Sequence, residues 1–258
     1  MFLNSYPNFE KGRILKIEML ENLRDYPRMM TDLYFAAYSD GIITGADIQV
    51  KEDTLVITKG IVKHKGRVYL LVSDIALPYQ ATGKETLIKM RFHEKHQQLD
   101  FTNHETKIML DENVEIAKNE LELGRFKLKL GAQLRSAYED FFDFATEYNT
   151  VNYIHCHYAG FQMSTFHPLP LRQFAKELLE SELSNAYDIA FSLQCLNQDR
   201  IQREVIAHYL ANRLGTGYRE YTNEQIHQQL GRIIRENKGG SRAMSAQTRR
   251  GPRRMIVD

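Results

Sequence analysis

The sequence predicts an α+β chain: an antiparallel β-meander or sandwich-like domain followed by a small helical bundle. Three observations carry this. From Asp40 to Tyr79 apolar and polar residues alternate, and Gly41, Gly45, Gly60 and Gly66 fall where short strands must turn. After Gly131 the composition shifts and the two-residue period disappears. From Pro168 onward apolar residues recur at three and four residues, the spacing of one buried helix face.

The elements follow in order. Residues 1 to about 12 read as an irregular arm, with Asn4, Pro7, Asn8 and Gly12 breaking any period. Ile14, Ile17, Leu20 and Leu23 place one stripe on a short helix, which Pro27 is expected to interrupt. Asp32 to Tyr38 then reads as a further helical turn or two. Ile48 and Val50, then Leu55 and Ile57, alternate as strands around the polar turn Lys51-Glu52-Asp53. Ile61–Lys65 and Arg67–Ser73 form the next pair, and Lys65-Gly66 suits a tight turn with positive φ. Strand signals continue at Leu87–Phe92, Gln98–Thr102, Thr106–Leu110 and Glu120–Leu130. In the last, Leu121 and Leu123 share one face and Phe126, Leu128 and Leu130 another, on either side of Gly124. A glycine there marks a bulge or a close backbone approach.

Ser136–Tyr148 is aromatic-rich at mostly helical spacing, and Thr150–Thr165 is ambiguous, with one extended strand as a reading it allows. Helices are expected from Pro168 through Leu179, Tyr187–Leu196, Arg200–Leu214 and Glu224–Arg235. Gly215 and Gly217 stop the third of these. Thr222 with Gln225 resembles a capping box for the fourth. From Asn237, Gly, Ser, Arg and Pro dominate, and disorder is expected. The organisation expected is therefore an N-terminal arm with short helices (1–39), an antiparallel β domain (40–132), a mainly helical domain (133–236) and a basic flexible tail (237–258).

A chain of 258 residues is long enough for a real core. The net charge is +1, so the body carries no overall bias toward nucleic acid or membrane. The balance hides an asymmetry: residues 238–258 carry six basic residues against one acid, leaving about −4 on the rest. Two cysteines make no disulfide framework and suggest a reducing compartment. The first twenty residues lack the pattern of a signal peptide, and no apolar run approaches a membrane span. A chain made in the cytoplasm is expected.

Few motifs point to chemistry. Ala81–Thr86 contains a Gly-Lys pair, but a phosphate-binding loop needs a glycine where Pro78 stands and a hydroxyl where Glu85 stands. A charged loop between strands is the reading that remains. His155 and His157 on a strand would share a face and could hold one ion, yet no HExxH or CxxC supplies further ligands. They are the weak metal candidates, and a structural pair is preferred. His93 and His96 read as a solvated hairpin end. Cys195 lies among Phe191, Leu193 and Leu196 and reads as a buried helix thiol. Glu139, Asp140 and Asp143 read as the polar face of a helix. No catalytic residue and no cofactor is expected.

The basic end is the clearest electrostatic feature. Arg249, Arg250, Arg253 and Arg254 precede an apolar hook, Met255, Ile256 and Val257. Pure charge binding does not require the hook, so a protein partner is favoured over nucleic acid.

The block Asp40–Tyr79 also resembles a pattern in phage tail, baseplate and fibre-attachment proteins. Its residues are Asp40-Gly41-Ile42, Thr54-Leu55-Val56-Ile57, Gly60-Ile61 and Gly66-Arg67-Val68-Tyr69. The wider chain resembles a family of Gram-positive bacteria associated with contractile, tail-like particles, through GRILKIEMLENLRDYPR, ELGRFKLKLGA, DFATEYNT and CLNQDR. Some members carry a DNA and RNA helicase label, which the failed phosphate-loop pattern does not support here. The resemblance implies a structural, non-enzymatic subunit of a contractile phage-tail-like particle, at the baseplate or along the tail. Its implied partners are other subunits of the particle and further copies of itself. The rival expectations are a nucleic-acid-associated protein using the basic tail and a metal-dependent hydrolase centred on His155 and His157.

Overall fold

The computed structural model describes residues 3–94, 96–97, 102–135, 137–181 and 185–247. Alternation and tight turns give two local hairpins. β2 (Ile48–Lys51) pairs with β3 (Thr54–Ile57), and β4 (Gly60–His64) with β5 (Arg67–Leu71). The second turn places Lys65 at φ 48° and Gly66 at φ 74°, the paired positive values a two-residue hairpin needs. The remaining pairings skip along the chain. β1 (Gly41–Gly45) pairs with β4, and β6 (Ile75–Pro78) with β3, giving three-stranded antiparallel sheets β1-β4-β5 and β2-β3-β6. A third sheet sets β7 (Glu85–Phe92) between β10 (Thr106–Asp111) and β11 (Glu120–Lys127). β8 (His96–Gln97) and β9 (Thr102–Asn103) pair antiparallel over two residues each. Of the strand expected over Gln98–Thr102, residues 98–101 lie outside the described residues.

Gly124 is both a bulge and a close approach. The β11–β7 register shifts between Glu122 and Gly124. A Cβ at Gly124 would sit 2.8 Å from Ile48 Cδ1. The extra residue reverses the alternation: Leu121 lies opposite Met90 and Phe126 opposite Thr86, positions on the same face of β7. Leu121, Leu123, Phe126 and Leu128 are therefore all buried, rather than divided between two faces, while Leu130 is exposed.

Three segments differ from the sequence expectation. A single helix, α1 (Ile17–Tyr34), passes through Pro27 without interruption. It absorbs Asp32–Tyr34, and residues 35–37 form turns instead. Among the described residues of Ser136–Tyr148, the helical element is a 3₁₀ turn, Phe141–Ala145. There Asp140 caps through its carboxylate, which accepts from Phe142 N–H at 2.8 Å, and Asp143 takes the fork of Arg135 at 2.8 and 2.9 Å. These acids make specific contacts and do not line a helix face. Thr150–Thr165 is not one strand. It turns at 154–155 and touches the sheets at isolated bridges, Asn152 with Arg125 on β11 and Tyr158 with Ile42 on β1. It closes two sheet edges at once, which no local pattern announces.

The helices follow their apolar spacing. α2 (Pro168–Leu179) opens on His167 as cap, with Pro168 in the first turn, where a missing N–H is harmless. α3 (Ala186–Asn197) and α4 (Arg203–Leu214) follow, and Gly215 closes α4 at φ 64°. The capping box forms: Gln225 N–H donates to Thr222 Oγ1 at 3.3 Å, and Thr222 N–H to Gln225 Oε1 at 3.0 Å. α5 (Asn223–Gln247) overruns the boundary expected at residue 237. Lys238 holds it to α2 through Glu177 at 2.9 Å. One buried apolar cluster runs from Ile42 in β1 to Ile234 in α5, so strands and helices share a core.

Candidate interaction surface

His155 and His157 do line one cleft of about 380 Å³, together with Glu122, Arg125, Arg203 and Glu224. They reach it from a turn and the segment after it, not from a strand face. His155 Nδ1 lies 2.9 Å from Glu224 Oε1. Arg125 forks onto Glu122 at 2.6 and 2.7 Å. Arg203 spends its donors on the carbonyls of Ser164 and Tyr221 and on Asn223 Oδ1. Burial, with the Arg203 charge beside it, pulls the His157 pKa below its ordinary value. Among the described residues no three of His, Cys, Asp and Glu are grouped to hold a metal ion. The cleft is a set of polar groups that mainly satisfy each other.

The remaining sequence candidates are also accounted for. Cys156 and Cys195 are free and buried. Burial pushes the Cys195 thiol up to about 12 and Cys156 well above its usual value, which suppresses the reactive thiolate. Lys84, in the loop that failed the phosphate pattern, pairs with Glu112 at 2.7 Å. Arg249, Arg250, Arg253, Arg254, Met255, Ile256 and Val257 lie outside the described residues.

The most unusual surface is N-terminal. No residue of α1 is buried. Its apolar residues Leu20, Leu23, Tyr26, Met30, Leu33 and Tyr34 are all exposed, Leu33 by 71%. The arm before it adds Leu3, Tyr6, Phe9, Ile14 and Leu15. Singly exposed apolar side chains are ordinary, but a contiguous run on one segment marks an interaction site. An interior proline costs a helix about 3 kcal/mol. Helices mostly gain stability by packing an amphipathic face, and α1 touches β5 but buries none of its residues on this chain.

The helix is nevertheless firmly held at its C-terminal end. Lys63 on β4, only 6% exposed, donates to the carbonyls of Phe35, Ala36 and Tyr38 at 2.6, 3.1 and 2.6 Å. An ammonium has three donors, and all three meet the carbonyl end of the helix segment, where a cation is favoured. Ser39 N–H donates to Gly160 O at 2.9 Å and Gln162 N–H to Ala37 O at 2.7 Å. Arg200 lies over the Tyr38 ring at 4.9 Å and donates to Ala159 O and Ile43 O, each at 2.7 Å. We expect Lys63→Met to leave these carbonyls without their donor, at about 1–3 kcal/mol. Native-state proteolysis or hydrogen exchange over residues 17–38 would then accelerate. Unchanged exchange there would remove Lys63 from this role.

The apolar stripe of α1 was visible as a pattern; its exposure was not. Periodicity shows which face is apolar, not what covers it. Lys63 gave no signal, since a lysine at that position on a strand reads as solvent-facing.

No helix among the described residues is long and apolar enough to cross a membrane. No protein-family model and no curated protein matches the chain. Four solved chains resemble it, two of them as follows. One is a chain of the type VI secretion system TssK–TssF–TssG baseplate subcomplex, at 12% identity over 90% of this chain and 99% of that one, with a TM-score of 0.41. The other is TssK, at 9% identity over 92% of this chain and 72% of that one, with a TM-score of 0.39.

Proposed function

We propose that this chain is a structural subunit of a contractile, phage-tail-like particle, set at the baseplate or along the tail, and that it works by protein–protein contact. The observation that carries the reading is α1: an amphipathic helix anchored at one end, with no residue buried and with Leu20, Leu23, Tyr26, Met30, Leu33 and Tyr34 exposed. The sequence resemblance of Asp40–Tyr79 to tail and baseplate proteins supplies the class of assembly. The anchor turns the exposed face into a fixed feature of the subunit's shape. A neighbour meeting it avoids the ordering cost that a floppy segment would add.

The C-terminal residues are proposed as a second contact. Arg249, Arg250, Arg253 and Arg254 would meet an acidic neighbouring subunit, with Met255, Ile256 and Val257 as the apolar hook. Truncation after Gln247 is expected to leave the fold and thermal midpoint unchanged and to lower the amount of subunit in purified particles. Normal incorporation of the truncated chain would remove the tail from the account.

The test of the main reading is incorporation. Quantitative mass spectrometry of purified particles is expected to find the wild-type chain at fixed stoichiometry. Leu23→Asp with Met30→Asp, both on the exposed face, is expected to deplete it while leaving the body folded. Absence of the wild-type chain from the particles would sink the reading.

A further inference from the structure

We infer that the occupant of the α1 face is α1 of other copies of this chain, packed in parallel in a bundle of more than two helices. This deepens the structural reading above and rests on it. Met19, Leu23, Tyr26, Met30 and Leu33 succeed one another at four and three residues in turn, the spacing of a coiled-coil seam. Leu20, Pro27 and Tyr34 border that seam on one side and Met29 on the other. At 3.6 residues per turn this apolar surface covers about half the circumference. A two-helix seam is narrower, and one partner helix would leave the bordering residues wet.

Charge fixes the direction. Glu18, Asp25 and Asp32 stand seven residues apart along one border of the stripe. The opposite border, Ile17, Arg24 and Thr31, holds an arginine and no acid. In a parallel bundle the acidic border of each helix meets the arginine border of the next. In an antiparallel pair like borders meet, setting Glu18 against Asp32 and Asp25 against its own copy. Flanking charges of this kind select partner and orientation in helical bundles. In the single chain Arg24 forks onto Asp25 at 2.7 and 2.8 Å, but both side chains are exposed. Such a pair contributes little and exchanges readily for one between chains. The anchor agrees with this direction. Lys63 and Arg200 hold the C-terminal end of every α1 against its own body, so a parallel bundle places all bodies at one end.

The polar face also excludes other occupants. The helix carries four acids against two arginines. A helix that lies on anionic lipid or along nucleic acid is rich in Lys and Arg on that face.

Sedimentation of the full chain over a concentration series tests the inference. Self-association is expected, and Leu23→Asp with Met30→Asp is expected to abolish it. Arg24→Glu should weaken it by about tenfold, and adding Asp25→Arg should restore it. Direction is read from single cysteines, because Cys156 and Cys195 are buried. Met19→Cys alone and Leu33→Cys alone are each expected to cross-link to themselves. Mixed 19-to-33 cross-links in place of these would overturn the parallel arrangement. A wild-type chain that stays monomeric, or binds anionic vesicles through α1, would overturn the inference. If that monomer still required α1 to enter particles, the structural function would stand with another subunit as occupant. If it were absent from particles, the functional reading would fail on its own.

Discussion

Asp188→Ala is expected to cost about 3 kcal/mol of stability, because it removes the buried carboxylate that Arg213 and the Tyr209 hydroxyl share and leaves the guanidinium with Glu236 alone, at 3.4 Å. Asp188 is fully buried in the first turn of α3. Its carboxylate accepts from Tyr209 OH on α4 at 2.9 Å and from Arg213 Nε on α4 at 2.9 and 3.0 Å. Asn237 Nδ2 on α5 adds a donor at 3.3 Å. One side chain thus ties three helices. Burial and the adjacent Asp188 charge both raise the Tyr209 pKa, so its hydroxyl stays a donor. Whole domains are stable by only about 5–15 kcal/mol, so this loss is a large share. Urea midpoints at neutral pH measure it. The double substitution Asp188→Ala with Arg213→Ala should recover part of the loss, since the stranded charge goes too. A single-site cost below about 1 kcal/mol would place the hub's contribution at that of a surface pair.

Acid should destabilise the fold earlier than carboxylate titration alone allows. His167 is 2% exposed; its ring stacks on Tyr153 with centroids 4.7 Å apart, and Nδ1 accepts the Leu169 N–H at 3.2 Å. Burial lowers its pKa to about 3. An unfolded histidine titrates near 6.5. The folded state therefore keeps a neutral ring where the unfolded chain takes up a proton. Stability from this residue is complete above about pH 6.5, falls by about 1.4 kcal/mol per unit below it, and is fully lost near pH 3. Burial also lowers the pKa of His64, His157 and His227, adding slope of the same sign. His167→Asn keeps an acceptor for the Leu169 N–H and removes the titration. Its unfolding free energy is expected to be lower at pH 7.5 and to fall less steeply between pH 6.5 and 4.5. An unchanged slope would show that His167 is not the group taking up the proton.

What was legible in the sequence was local. The Lys65-Gly66 turn, the capping box at Thr222, the stop at Gly215 and the break at Gly124 each depend on residues within a few positions. α2 and α3 follow from apolar spacing alone. The misread segments depend on distant partners. α1 continues through Pro27, although proline normally disrupts a helix. Residues 150–165 look like a strand by composition, yet they serve as a strip between two sheet edges. The pairing of β1 with β4 spans an inserted hairpin. Buried charges were the least legible. Lys63, Lys89 and Asp188 sit where alternation or helix spacing predicts solvent, and only the fold supplies their partners. Lys89, for instance, donates to Asp111 at 3.1 Å and to Glu115 O at 2.6 Å.

Hydrogen exchange over residues 17–34, compared between the dilute subunit and the assembled particle, is the most direct test of a chain built to be covered by other protein. Measurable exchange in the dilute subunit and much stronger protection in the particle are expected. Equal exchange in both states would contradict the account, because the apolar face of α1 would then stay uncovered in the very assembly proposed to cover it.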